Sequence, residues 1–66
     1  MRRCSNCNKI LSTNDDCWYA ENVNEEYYCY DENMTCLIND FTKANISKEE
    51  ILEYIENGDL FYTTTP

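Results

Sequence analysis

The residues with the clearest potential for chemistry are cysteines, and two of them stand close together as Cys4 and Cys7. Two thiolates at this spacing can grip one tetrahedral ion when the backbone between them turns tightly. Asn8 follows the second cysteine, at a position where such turns often need a left-handed backbone, and Asn is the commonest substitute for Gly there. The motif therefore indicates one half of a structural zinc site.

The other half of the site must come from the three remaining cysteines or from a carboxylate. Structural zinc takes sulfur more often than oxygen, although a carboxylate is chemically allowed. A cysteine left without a metal would pack as a small hydrophobic residue. We predict the metal ligands Cys4, Cys7, Cys29 and Cys36, with Cys17 ranked second and Glu32 third for the fourth position.

Disulfide or redox chemistry is the competing use of these cysteines. No apolar run follows the basic start Met1-Arg2-Arg3, so we see no signal peptide. An odd count of 5 cysteines would leave one thiol unpaired in a disulfide framework. In a reducing cytosol a Cys-x-x-Cys pair favours metal binding or redox work over a structural bridge. A thiol redox or metal-delivery protein that uses Cys4 and Cys7, and a secreted disulfide mini-protein, remain the alternatives.

Composition narrows the function classes. The 66 residues suit one domain, and a chain of this size usually needs a metal, disulfides or a partner to hold it together. The net charge of −8 argues against nucleic-acid binding and favours a partner protein with a basic surface. The chain has no His to activate a thiol nucleophile, so we expect no enzyme. It has no long apolar run for a membrane, and we expect a cytoplasmic protein.

A hairpin and the helix that follows it must bring Cys29 and Cys36 to the Cys4 and Cys7 pair. Aromatic runs on either side of a polar loop predict a β-hairpin with strands at 17–21 and 26–30. Apolar residues with helical spacing follow, and Asp31 or Asn33 would cap that helix. The apolar face of this second element, which lies within 31–41, consists of Met34, Leu37, Ile38 and Phe41.

The strongest local signals lie towards the C-terminus and predict a helix over 48–57. Ser47 and Glu50 form a capping box, and Gly58 is a typical C-cap. The predicted inward stripe is Ile51, Leu52 and Ile55. A short strand at 60–62 would follow, and we expect 63–66 to fray.

The segments Cys4-Ser-Asn-Cys7-Asn-Lys9-Ile10-Leu11 and Tyr27-Tyr28-Cys29-Tyr30-Asp31-Glu32 resemble one zinc module of a LIM domain. That family shows Cys-x-x-Cys-Gly-Lys-x-Leu, a hairpin, and then Tyr-Cys-x-x-Cys or Tyr-Cys-x-x-Asp. The resemblance covers residues 4–36 and implies a treble-clef arrangement of knuckle, hairpin and helix. Glu32 occupies the family's fourth ligand position, so Cys36 reaches the metal only if the loop after Cys29 delays the start of the helix.

The predicted fold is a small zinc-stabilised α+β domain over 1–66, with a treble-clef-like zinc module at 4–36 and a helix and short strand at 46–62. The predicted function is a non-enzymatic adaptor or inhibitor that binds a larger protein. A composition typical of an AT-rich genome suits a phage or bacterial regulator, and DNA mimicry is one version of this function. Alternatively, the aromatic residues only cover the core and the charges are only solvated. The predicted interface residues are Tyr27, Tyr28, Tyr30, Glu25, Glu26, Asp31 and Glu32.

Overall fold

A computed structural model describes residues 2–66 and contains two antiparallel sheets and two helices, which confirms the α+β class. Neither helix in these residues has the length and apolar character that a bilayer crossing requires. The elements are β1 (Arg2–Arg3), β2 (Ile10–Leu11), β3 (Asp16–Tyr19), β4 (Tyr27–Cys29), α1 (Thr35–Lys43), α2 (Lys48–Asn57) and β5 (Phe61–Thr64).

The short ribbon of β1 and β2 encloses the first two cysteines. The Cys4 N–H donates to the Lys9 carbonyl and the Asn8 N–H donates to the Cys4 carbonyl, both at 2.9 Å. Asn8 has φ 65°, the left-handed conformation that its position predicts. The turn between β1 and β2 therefore closes as a knuckle.

The second sheet has the strand order β4-β3-β5. β3 and β4 form the predicted hairpin in the register Cys17↔Cys29, Trp18↔Tyr28 and Tyr19↔Tyr27. Both strands are shorter than predicted, because the backbone leaves the ladder after Tyr19 and turns through a loop in which Glu25 has φ 58°. The hairpin places the end of β4 beside the knuckle.

The C-terminal strand is longer than predicted, and the expected fraying of 63–66 is wrong. β5 runs to Thr64 and pairs antiparallel with β3. Thr65 is buried, its N–H donates to the Asp15 carbonyl at 3.0 Å, and its hydroxyl donates to the Ser12 carbonyl. These partners lie about fifty residues away in the sequence, so no local pattern reveals them.

Helix α1 begins at Thr35, one residue after Met34, the first residue of the predicted apolar face. Leu37 and Phe41 are buried, and Met34 and Ile38 are partly buried against the same core, as the spacing predicts. The N-cap residue is Met34, with φ 54° and no side-chain cap, so neither predicted residue takes that position. The residue that bonds the backbone nearby is Asp31. The Asp31 Oδ1 accepts from the Asn33 N–H at 2.8 Å and from the Thr35 N–H at 3.1 Å. Asn33 precedes the helix, and Thr35 is its first residue.

Helix α2 has the predicted bounds. The Ser47 side chain accepts from the Glu50 N–H at 3.2 Å, and Gly58 ends the helix with φ 79°. Ile51 is buried and Ile55 is partly buried, but Leu52 is 51% exposed and does not belong to the inward stripe. The buried cluster that joins these elements comprises Cys4, Ala20, Tyr28, Cys36, Leu37, Phe41, Ile51 and Leu60.

Candidate metal centre

Three separate parts of the fold bring four cysteines together. Cys4 and Cys7 come from the knuckle, Cys29 from the last position of β4, and Cys36 from the first turn of α1. Their four Sγ atoms all lie within 4.8 Å of one another. The Sγ of Cys29 lies 3.7 Å from that of Cys7 and 3.4 Å from that of Cys36.

Local backbone geometry explains why these sulfurs meet. The Ser5 N–H donates to the Tyr27 carbonyl at 2.9 Å, which docks the knuckle on the outer edge of β4. After Cys29 the chain turns around the Asp31 carboxylate, so that α1 starts at Thr35 and not earlier. This delay lets Cys36, which lies beyond the position expected from the LIM pattern, reach the cluster.

The spacing of the sulfurs fits a tetrahedral ion. Four thiolates bound at about 2.3 Å from zinc stand about 3.8 Å from one another, and the close contacts in the cluster fall near this value. Cys4 and Cys36 are buried, Cys29 is half-buried and Cys7 is exposed. Four protein ligands would fill a tetrahedral coordination sphere, so this donor set suits a closed, structural site and not an open catalytic one.

The thiols differ in how easily they lose a proton. Burial by itself would raise the pKa of Cys4, but the backbone N–H groups of Cys7, Cys29 and Asn6 that donate to its sulfur bring the pKa down from 9.0 to about 7. Burial raises the pKa of Cys29, and its sulfur neighbours raise it further. Burial also raises the pKa of Cys36. A cation in the cluster would favour the thiolate of every member.

Asn6 is a residue of the site that the sequence analysis did not identify. Its side chain opposes the rise in the pKa of Cys36. The Asn39 side chain donates to Asn6 Oδ1 at 2.9 Å, so the knuckle is also tied to α1 at this point. Groups that orient metal ligands in this way usually contribute to metal affinity. The Asn between the two cysteines gave no signal of its own, because its partner lies 33 residues away.

The two alternative fourth ligands lie outside the cluster. Cys17 pairs with Cys29 across the hairpin, yet it is fully buried in the sheet and is not among the four grouped thiols. Burial raises the pKa of Cys17, and the charges of Asp16 and Asp15 add to this effect. Glu32 is exposed and is also absent from the group. The structure therefore brings together the four cysteines ranked first.

The predicted interface residues are dispersed, and Tyr28 does not belong to any exposed surface. It is fully buried against Phe41, with ring centroids 5.7 Å apart, and its hydroxyl donates to Asp40 Oδ2 at 2.6 Å. Tyr27 lies under the Arg2 guanidinium, 5.0 Å from the ring centroid. Tyr30 is 43% exposed.

The four acidic members of the predicted interface are also in different settings. Glu25 and Glu26 line a cleft of about 540 Å³ whose other wall carries Arg2 and Arg3. The Glu26 carboxylate accepts from the Ser5 hydroxyl at 2.6 Å. Asp31 is occupied at the start of α1, where the backbone N–H of Thr35 lowers its pKa, and Glu32 is exposed. Of the seven residues, four are exposed: Glu25, Glu26, Tyr30 and Glu32.

Tyr30 belongs to a partly exposed aromatic cluster. Tyr30 lies 4.9 Å from Tyr62 and 6.1 Å from Trp18 between ring centroids. The Tyr62 hydroxyl donates to Asp16 Oδ1 at 2.9 Å, and Tyr62 is 51% exposed. We call Trp18, Tyr30, Tyr62 and Asp16 the aromatic patch. The sequence analysis missed Tyr62 because its neighbours on the patch come from a distant hairpin.

Comparison with protein-family models, with curated proteins and with solved structures finds no match to this chain. The site is therefore defined by its own geometry: four cysteines from the knuckle, β4 and α1 that could hold one metal ion.

Proposed function

We propose that the four-cysteine cluster binds one structural zinc ion and that the chain is a non-enzymatic protein-binding module. The observation that carries the metal assignment is the convergence of four Sγ atoms within 4.8 Å. Sulfur donors in a tetrahedral arrangement favour zinc over the hard cations that prefer oxygen. Knuckle, hairpin and helix would then form a treble-clef module of the kind that a LIM domain contains, with Cys36 replacing the ligand expected at Glu32.

The distribution of charge supports a basic protein as the partner. None of the 13 acidic residues is buried, whereas Arg2, Arg3 and Lys9 are grouped on the knuckle. A zinc ion bound to four thiolates adds about two further negative charges, which this basic group would balance. The rest of the surface would steer a positively charged partner towards the chain.

Two functions fit this surface. The general one is an adaptor or inhibitor that covers a basic site on a larger protein. The specific one is a DNA mimic, in a phage or bacterial regulator, that occupies a site meant for nucleic acid. The exposure of Cys7 favours a second candidate function, thiol redox or metal delivery, in which the metal would leave the cluster readily.

Capture of partners from the source cell on the immobilised zinc-loaded protein tests the binding function. We expect the captured protein to be basic and to elute as salt rises, because the Debye length falls from about 10 Å at 0.1 M to about 3 Å at 1 M. Glu32→Lys should weaken capture more than Glu53→Lys, a control with the same charge change on α2 (Lys48–Asn57). Competition by duplex DNA would support mimicry. An acidic partner, or capture indifferent to salt, would exclude the proposed function.

A further inference from the structure

The outer edge of β5 (Phe61–Thr64) is open. β5 is the terminal strand in the order β4-β3-β5, and its strand partner is β3. Within residues 2–66, the backbone hydrogen bonds of 61–64 go to β3 alone. The opposite edge of the same sheet is covered, because the knuckle docks on β4 through the Ser5 N–H. One side of β5 is therefore left with unpaired backbone groups.

The register identifies those groups. The Thr65 N–H donates to the Asp15 carbonyl, and antiparallel pairing alternates between bonded and non-bonded pairs. Thr63 and Phe61 therefore bond to β3, while the N–H and C=O groups of Tyr62 and Thr64 point outwards. The hydrogen bonds between β3 and β4 are consistent with this alternation. The Ala20 N–H donates to the Glu26 carbonyl at 3.1 Å. Every second residue of β3 therefore bonds to β4, and the residues between them bond to β5.

The edge lacks the features that usually prevent strand addition. The sequence of β5 is Phe-Tyr-Thr-Thr, which has high β-propensity and contains no charged residue and no Pro. The strand is four residues long. An extended segment could therefore hydrogen-bond along it, in the way that peptide-binding domains add a strand to a sheet.

The side chains at this edge favour a positively charged segment. A residue of an added strand opposite Tyr62 would lie next to the aromatic patch, which combines exposed ring faces with the Asp16 carboxylate. An ammonium or guanidinium group is attracted to both features. Asp59 lies just before the other end of β5. A second copy of the chain would bring like charges together here, because each copy carries −8.

We propose that the outer edge of β5 accepts an extended basic segment of the partner protein as a fourth strand of the sheet. The proposal rests on the proposed function, which supplies a basic partner, and it assigns the contact to the Tyr62 and Thr64 backbone and to the aromatic patch. Lys or Arg residues at alternate positions of the segment would face the patch.

The test uses the zinc-loaded full chain and a peptide of about eight residues that alternates Lys and Val. Trp18, the single tryptophan, reports binding by fluorescence. Thr64→Pro removes an outward N–H without removing a bond to β3, and we expect it to weaken binding about tenfold or more. Thr64→Val keeps that N–H and should bind as the wild type does. Melting temperatures close to the wild-type value confirm that both variants are folded.

Each remaining outcome decides the question. Binding of the Lys–Val peptide but not of a Glu–Val peptide, with loss of that preference in Asp16→Asn, supports the proposal. Equal binding by the wild type and Thr64→Pro, or no binding by the wild type, overturns it. A dimer in sedimentation that Thr64→Pro dissociates also overturns it, because the edge then serves a second copy. None of these failures affects salt-sensitive capture of a basic partner elsewhere on the surface, so the proposed function is tested separately.

Discussion

At the scale of single residues, the five thiols fall into two environments. Four of them face one another in the cluster, where a cation would lower the energy of the thiolate form. Cys17 lies alone inside the sheet, and burial raises its pKa. Its role in the fold is that of a small buried hydrophobic residue. Substitution of each cysteine by serine therefore distinguishes ligands from packing residues.

We predict that Cys29→Ser and Cys36→Ser abolish metal-dependent folding, because each removes one of four ligands. Cys17→Ser should fold with zinc and lose about 1–2 kcal/mol of unfolding free energy, the cost of a small polar group in a buried position. Thermal melts with and without zinc measure both effects. If Cys36→Ser folds with zinc as Cys17→Ser does, the assignment of Cys36 as the fourth ligand is wrong.

Asn6 gives a second prediction at this scale. Asn6→Ala removes the side chain that lowers the pKa of Cys36 and the link to Asn39, so zinc affinity should fall about 10–100-fold while the stoichiometry is unchanged. Competition with a chromophoric chelator measures the affinity. Asn57→Ala, in an exposed position at the end of α2, is the control. Equal affinities for the two variants would show that Asn6 does not support the metal centre.

At the scale of elements, the C-terminal strand is held by contacts of Thr65 that no local sequence pattern predicts. Thr65 is buried, and its hydroxyl bonds the Ser12 carbonyl and accepts from the Asp15 N–H at 3.2 Å. Thr65→Val keeps the shape but removes both hydrogen bonds of the hydroxyl, which should cost about 1 kcal/mol or more, although the Asp15 N–H still donates to the Ser12 carbonyl at 3.1 Å. Thr64→Val, the same change at an exposed neighbour, should cost little. Chemical denaturation of the two variants compares them directly, and equal losses would contradict the structural role of Thr65.

The elements that could be predicted are those specified by nearby residues. Helix α2 has its predicted bounds because the Ser47 cap and the Gly58 C-cap are local signals. The knuckle and hairpin followed from turn chemistry and aromatic runs for the same reason. The pairing of β5 with β3, the role of Asn6 and the burial of Tyr28 depend on contacts between distant segments, and periodicity does not contain that information.

The fourth ligand illustrates the same limit within the site. Cysteine chemistry identified the candidates, but the choice between Cys36, Cys17 and Glu32 depends on where α1 begins. In the structure α1 begins at Thr35, whose N–H donates to the Asp31 carboxylate at 3.1 Å. The sequence pattern does not specify this start, so the position of Cys36 relative to the other cysteines follows only from the folded chain.

At the scale of the whole molecule, size and charge both favour a fold that a metal stabilises. A chain of 66 residues buries little apolar surface, and its net charge of −8 opposes compaction. The core cluster itself includes two of the four grouped cysteines, Cys4 and Cys36. A zinc ion in the cluster would join the knuckle, β4 and α1 at a single point beside the core, so we expect metal binding and core formation to be coupled.

The measurement that tests this account most directly is the metal dependence of folding in the purified protein. We predict one zinc per chain by elemental analysis, and loss of the near-UV circular dichroism signal when a strong chelator removes it, with recovery when zinc is added back. The binding free energy that is lost is on the order of 10 kcal/mol, more than a domain of this size can replace from its core. A metal-free form with the same near-UV signal and the same melting temperature would contradict the central claim.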